Sequence, residues 1–224
     1  MTITILTLFP EMVDNILSQS IIGRAREKGI INIKTVNIRD YSKDKHKRVD
    51  DTPYGGGMGM LMRCDVVYEC WEDTVNSLEG SVHTIIMSPQ GSVFSQSKAQ
   101  EFLDYDNLVI ICGHYEGIDR RATELCADEE ISIGDYILTG GELPACIVAD
   151  CTARLIEGVL ADKSCYENES ISCGMLEYPQ YTRPEEYKGL GVPEVLKNGN
   201  HSEIEKWRFD KALELTRKNR PDLL

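Results

Sequence analysis

Residues 3–9 alternate threonine with apolar side chains, which is the period of a half-buried strand. Over residues 12–28 the apolar positions Met12, Val13, Ile16, Leu17, Ile21 and Ile22 recur at helical spacing, and Gly29 is a suitable stop. Residues 31–38 alternate again and predict a second strand. Residues 40–60 have no period and predict a long loop, a length that in compact domains is usually functional or mobile. The pattern then predicts a helix over 64–78, a strand over 83–87 and a helix over 95–103 with Ser95 as N-cap. It continues with a strand over 108–112, a short helix over 120–126 and a strand over 131–138. A helix over 143–155 follows, entered through Pro144 and lined by Ala145, Ile147, Val148 and Ala149. Regular alternation of strand and helix implies an α/β domain built on a mostly parallel sheet.

The pattern fails after residue 160. Residues 161–173 are polar and aperiodic and read as an interdomain linker. In Leu176-Glu-Tyr-Pro-Gln-Tyr-Thr-Arg-Pro184 two prolines hold the chain extended between aromatic residues. A helical tail closes the chain, with Ile204, Trp207, Phe209, Ala212 and Leu215 as its apolar stripe. The expected organisation is a main domain over 1–160, a linker over 161–173 and a small helical domain over 174–224.

Composition changes this picture little. The chain has 224 residues, 42% of them hydrophobic, enough for a large core. Charged residues make up 27%, which argues against wholesale disorder. No apolar run approaches the roughly 18–20 residues that span a bilayer. The first ten residues read as a strand rather than a signal peptide. The eight cysteines at 64, 70, 112, 126, 146, 151, 165 and 173 form no Cys-x-x-Cys pair, which suits free thiols in a reducing cytosol better than a zinc site. The net charge of −13 opposes nucleic-acid binding at first sight. The charge is uneven, however: Lys43, Lys45, Lys47 and Arg48 cluster around His46, and basic residues return in the tail. A local basic surface that grips a phosphate backbone and a plain solvated face fit this charge equally well.

The candidate chemistry lies in loops. Gly55-Gly-Gly-Met-Gly-Met60 lacks the Gly-Lys-Ser/Thr ending of a phosphate loop and reads instead as a loop that closes over a site. No Gly-x-Gly-x-x-Gly follows the first strand, so a Rossmann dinucleotide site is not expected. Three loops do follow predicted strands: Ser88-Pro-Gln-Gly91, Cys112-Gly-His-Tyr-Glu-Gly117 and the Gly-rich stretch over 132–144. Each alone reads as a turn; together they suggest one pocket at the strand ends, recognising its ligand through main-chain groups. His114 suits a base, a ligand or a hydrogen bond within its loop. Arg154 suits a site or a surface charge, and Glu167 and Glu169 would by position be solubilising linker residues.

These loops carry a resemblance. Asp51-Thr-Pro-Tyr-Gly-Gly-Gly-Met-Gly-Met60, Cys112-Gly-His-Tyr-Glu-Gly-Ile-Asp-Arg-Arg121, Ser132-Ile-Gly-Asp-Tyr-Ile-Leu-Thr-Gly-Gly-Glu-Leu-Pro144 and Leu176-Glu-Tyr-Pro-Gln-Tyr-Thr-Arg-Pro184 resemble the bacterial tRNA (guanine-N1)-methyltransferases of the SPOUT superfamily. The likeness runs over essentially the whole chain. It implies a mostly parallel sheet with a deep trefoil knot, a rare exception to unknotted folds, and a small C-terminal helical domain that binds tRNA. It implies S-adenosylmethionine as methyl donor, assistance by a magnesium ion with unassigned ligands, and a cytoplasmic homodimer with the active site at the subunit interface. The implied substrate is tRNA, methylated at N1 of the guanosine immediately 3′ of the anticodon when a guanosine precedes it.

By the same resemblance, Ser88, Pro89, Gly91, Gly113, Tyr115, Glu116, Ser132, Ile133, Gly134, Asp135, Tyr136, Ile137, Leu138, Gly140, Gly141 and Pro144 hold the cofactor. Main chain around Ile133, Tyr136 and Leu138 would take the adenine, and Gly140 and Gly141 would give it room. Arg154 matches the family's arginine, expected to stabilise negative charge on O6. The family's base is an aspartate; the matching motif here is Glu169-Ser170-Ile171, so the carboxylate is Glu169, one methylene longer. His46, Asp50 and Arg183 are the implied tRNA contacts. Lys206 and Arg208 would support them on the RNA backbone, with Tyr178 and Tyr181 as stacking candidates. The competing readings are a ribose 2′-O-methyltransferase of the same superfamily and a non-catalytic RNA-binding module that keeps the pocket.

Overall fold

The computed structural model describes residues 1–162, 166, 169–172 and 174–224. Glu167, Cys165 and Cys173 lie outside the described residues. The described chain divides into two compact units, 1–161 and 162–224.

In chain order the first unit contains β1 (Thr2–Thr7), α1 (Pro10–Leu17), α2 (Ser20–Glu27), β2 (Asn32–Asn37), β3 (Asp50–Asp51), β4 (Leu61–Met62) and α3 (Cys64–Asn76). It continues with β5 (Val82–Val93), α4 (Gln96–Glu101), β6 (Asn107–Cys112), α5 (Arg120–Cys126), β7 (Glu129–Ser132) and α6 (Glu142–Ala153). Five strands form one sheet in the order β2-β1-β6-β5-β7, and every pairing is parallel. The expected parallel α/β architecture is therefore present.

Strand β6 lies at the centre and is buried along its whole length. Its period of two divides the core. Leu108, Ile110 and Cys112 join Val13, Leu17, Ile22 and Ala149 on one face of the sheet. Val109 and Ile111 join Val66, Val67, Cys70 and Ala122 on the other. Each such aliphatic side chain contributes about 1.5–3 kcal/mol by leaving water. Burial pushes the core thiols up, that of Cys70 to about 12, which keeps them protonated and unreactive at neutral pH.

Three expected elements differ in outcome. The single helix over 12–28 is two, because Ser20 has φ 56° and the bare Cα of Gly23 packs against the Ser18 carbonyl, where a Cβ would collide. The strand over 83–87 runs on to Val93. Met87 and Ser92 both register with Ile131, so Ser88, Pro89, Gln90 and Gly91 form a bulge within β5 rather than a loop after it. Pro89 is tolerated there because the bulge carries no ladder pairing. The strand over 131–138 ends at Ser132. Gly134 has φ 138°, and Ile137 is 78% exposed, so the apolar alternation beyond it belongs to a loop. Ser95 does cap α4, its hydroxyl accepting from the Lys98 N–H.

In α6, Ala145, Val148 and Ala149 are buried as expected, but Ile147 is 48% exposed. The second unit holds a hairpin, β8 (Glu186–Tyr187) and β9 (Leu190–Gly191), and the long helix α7 (His201–Asn219). Ala212 and Thr216 are the buried positions of α7, and Phe209 is 56% exposed rather than part of its inner face. The Thr216 hydroxyl accepts from the Leu176 N–H at 2.9 Å, tying the proline-rich segment to the helix. The Arg208 guanidinium lies 4.9 Å from the centre of the Tyr178 ring.

Candidate functional site

The bulge within β5 and the segments that follow β6 and β7 meet around a cavity of about 320 Å³. This is the size of a small-molecule site, and the ends of parallel strands are its usual place. Fourteen of the sixteen expected cofactor residues line it: Ser88 and Pro89; Gly113, Tyr115 and Glu116; and Ser132, Ile133, Gly134, Tyr136, Ile137, Leu138, Gly140, Gly141 and Pro144. Gly91 and Asp135 do not. Gly91 faces away from it, since a Cβ there would strike the Glu130 carbonyl on the neighbouring strand.

Backbone hydrogen bonds hold the three segments in place. The Gly141 N–H donates to the Gly113 carbonyl at 2.7 Å, joining the second segment to the third. His114 and Gly140 form an isolated antiparallel bridge beside it. The Phe94 N–H donates to the Ser132 carbonyl at 2.7 Å, anchoring the third segment to the end of β5. Within the third segment the Tyr136 N–H donates to Gly134 O at 2.9 Å and the Tyr136 hydroxyl to Ile133 O at 3.1 Å. The Leu138 N–H has no acceptor among the described residues. Gly141 is needed for close approach: a Cβ there would lie 2.8 Å from Cys112 Cα and 2.9 Å from Gly113 N.

Among the described residues Glu116 is the one carboxylate on the cavity wall, and neither Lys nor Arg lines it. Recognition there rests on main-chain donors and acceptors and on apolar faces, which suits a heteroaromatic ring better than a phosphate. Met87, His114, Gly117, Ile131 and Thr139 also line the cavity, although the sequence did not single them out as cofactor residues. All five flank residues that it did single out, which is the signal that marks them. His114 makes no side-chain hydrogen bond within its loop: its Nδ1 is buried without a partner among the described residues, and its ring packs against Phe9 and Tyr115 with centroids 5.1 Å away. Behind Gly140, the side chain of Glu142 is 3% exposed and accepts from the Thr7 hydroxyl at 2.8 Å.

The remaining candidates belong to both units. Arg154 is the C-cap of α6, its N–H donating to Asp150 O at 3.0 Å. Glu169 belongs to the second unit, half-buried just before the turn in which Ser170 Oγ accepts from the Glu177 N–H. His46 is exposed, and its N–H donates to Asp44 Oδ1 at 2.7 Å. Asp50 sits in β3, registered with Met62 of β4. Arg183 is exposed in the second unit. The Arg48 guanidinium beside Asp44 holds that carboxyl well below the usual carboxylate range. Among the described residues no group of three or more His, Cys, Asp or Glu side chains is placed to hold a metal ion, so no residue is assigned to magnesium. No helix among them is long and apolar enough to cross a membrane.

A second hollow, of about 590 Å³, opens on the other side of Ile133, Tyr136 and Leu138, between them and α1, α2 and α6. Its lining is apolar apart from Gln19, Ser20 and Asp150, and Ile16, Ile21, Leu143 and Ile147 around it are 39–48% exposed.

Comparison with known proteins identifies the family. The family model described as tRNA (Guanine-1)-methyltransferase TrmD matches residues 1–224. A tRNA (guanine-N(1)-)-methyltransferase of Ruminiclostridium cellulolyticum is 52% identical over 223 residues, taking in 100% of this chain and 96% of that protein. Proteins of the same name from Lachnospira eligens and Staphylococcus epidermidis are 54% and 51% identical. They cover 98% and 100% of this chain, and 93% and 91% of their own lengths. With a family match over its whole length and relatives at half identity or more, the chain belongs to the tRNA (guanine-1)-methyltransferase family.

Proposed function

We infer that the chain transfers a methyl group from S-adenosylmethionine to N1 of guanine in tRNA, at the guanosine immediately 3′ of the anticodon. The observation that carries this reading is the convergence of the β5 bulge and the segments after β6 and β7 on one cavity without Lys or Arg among its described lining residues, walled largely by main chain and apolar side chains, in a chain of this family. Adenine offers donors, acceptors and an apolar face but no charge. The open N–H of Leu138 suits such a ring, and the bare Cα atoms of Gly140 and Gly141 let the third segment lie close against His114 and Cys112 on the second. The donor, when bound, supplies an electrophilic methyl group on a sulfonium.

The chain's own residues supply the rest. Guanine N1 holds its proton at neutral pH, so attack requires a base, and removal of that proton builds negative charge on O6. We assign Glu169 as the carboxylate that takes the proton. Arg154 is assigned to O6, where a positioned guanidinium stabilises the developing charge. His46, Asp50 and Arg183 are assigned to the tRNA, beside the basic run over 43–48. A knotted path is part of this reading. The Gly113–Gly141 bond, with α6 packing back on β1 and β6, supports it.

The reading includes a homodimer, and the apolar hollow beside α1, α2 and α6 is its proposed face. An exposed apolar surface of this kind marks an interaction site. Ile147→Glu is expected to shift the chain from dimer to monomer in sedimentation equilibrium and to lower methyl transfer with it. An unchanged mass would remove that face from consideration. The function itself is tested by incubating the chain with S-adenosylmethionine and tRNA transcripts that carry or lack the two adjacent guanosines, then locating the methyl by mass spectrometry. A methyl on a ribose 2′-oxygen would assign the other chemistry of the superfamily, and cofactor binding with no transfer would leave a binding module.

A further inference from the structure

Tyr54 is 99% exposed and Met58 93%, more than any other large apolar side chain of the described chain. They contribute nothing to the core. Yet the loop that carries them is built. Gly55, Gly56, Gly57 and Gly59 all take positive φ, and the Gly56 N–H donates to Pro53 O at 3.3 Å. Its two roots are held by the β3–β4 pairing.

Beyond β4 the loop is stitched to the second cavity segment. The Glu116 N–H donates to Met60 O at 3.0 Å, Met62 N–H to Gly117 O at 2.9 Å and Asp119 N–H to Met62 O at 3.0 Å. Gly59 lies directly over the Glu116 side chain, where an added Cβ would stand 2.6 Å from Oε1 and 2.8 Å from Cδ. Glu116 is itself cavity wall. The exposed ring is thus carried on a loop that borders the mouth of the cavity, and the cationic run over 43–48 precedes it in the chain, with Asp50 and Asp51 between. Lys43 and Arg48 in that run have side chains 81% and 68% exposed; they are ion-paired with Glu69 at 2.6 Å and Asp44 at 2.9 Å, surface pairs that a phosphate can replace.

We propose that Tyr54, with Met58 on the same loop, is a stacking platform for an unpaired base of the RNA substrate. The proposal rests on the reading of the chain as a tRNA methyltransferase. An exposed aromatic ring combined with nearby cations in the chain binds splayed single-stranded nucleotides, since every nucleotide has a base with a π-face and a backbone phosphate. The net charge of the chain repels RNA, so a local cationic run followed by an exposed ring selects this face over the rest of the surface.

The test uses the full chain and a tRNA transcript with 2-aminopurine placed beside the target guanosine. Tyr54→Ala is expected to raise the KM for tRNA roughly tenfold to a hundredfold, the range that base–aromatic stacking provides. The affinity for S-adenosylmethionine, measured by calorimetry, stays the same. Tyr54→Phe recovers most of the loss, and 2-aminopurine quenching by the unsubstituted chain disappears in Tyr54→Ala. An unchanged KM in Tyr54→Ala overturns the proposal. So does an equal loss in Tyr54→Phe, which would assign the hydroxyl rather than the ring, or lost cofactor affinity, which would assign a structural role. Should the alanine variant not fold, Tyr54→Leu keeps apolar bulk without a ring, and a normal KM there is equally fatal. Failure of the unsubstituted chain to methylate tRNA would sink the functional reading instead, while the quenching arm still reports on stacking.

Discussion

Glu169→Gln is expected to lower single-turnover methyl transfer by roughly 10²–10⁴-fold, the contribution of a positioned general base. Cofactor affinity stays the same. The amide keeps the size of the side chain and its capacity for hydrogen bonds but cannot take the N1 proton. Glu169→Asp is the informative companion. The relatives of this chain are expected to carry aspartate at the base position, and one methylene moves the carboxylate by about 1 Å, a displacement that can cost ~100-fold where geometry is tight. The aspartate variant still carries a carboxylate that can take the proton, so its loss should not exceed about 100-fold and should be smaller than that of the amide. Rapid-quench assays with a labelled donor measure both. If Glu169→Gln kept full turnover while Glu167→Gln lost it, the base would be Glu167.

Gly141→Ala should abolish measurable cofactor binding and destabilise the fold by about 1–3 kcal/mol through overpacking. The new Cβ meets main-chain atoms, Cys112 Cα at 2.8 Å and Gly113 N at 2.9 Å, which cannot rotate away as a side chain would. Relief requires the segment over 113–117 to move, and that segment is cavity wall. Gly113→Ala provides the contrast. Its Cβ would meet only Ile118 side-chain atoms and Met87 O at 3.5–3.8 Å, ordinary contact distances, so the fold should accept it. Calorimetric titration with the donor and urea denaturation separate the two variants. Equal behaviour would mean that the 113–141 contact does not shape the cavity.

Much of this was legible in the chain because burial imposes a period. Strand β6 reads as an unbroken apolar run since both faces of a central parallel strand are covered. The helix α5 was bounded correctly because Asp119, whose side chain accepts from the Arg121 N–H, caps its start. The cavity was legible for a different reason: glycines cluster where backbone must approach backbone, and two such clusters follow β6 and β7, while the third segment, marked by Pro89 and Gly91, proved to be the bulge within β5. The misreadings share a cause as well. Ile131 through Leu138 alternates like a strand, but β7 pairs on one side only, and its partner β5 ends at Val93 opposite Ser132, leaving residues 133–138 no strand to pair with. The break between α1 and α2 turns on a glycine packed against a carbonyl, which periodicity does not register. Ile147 looked like core because an apolar residue on a helix is usually buried, and only the unfilled hollow beside it shows otherwise.

The central place of β6 has a consequence for how the protein is made. The first strand emerges from the ribosome early, and β2, its partner on one side, follows soon after. Its partner on the other side begins only at Asn107, which registers with Thr2. Until that segment has been synthesised, the growing polypeptide holds an apolar edge with no strand to cover it. Pairing across so long a stretch is slow, and exposed edges invite aggregation. Chaperone dependence of the nascent chain should therefore fall sharply once β6 has cleared the exit tunnel.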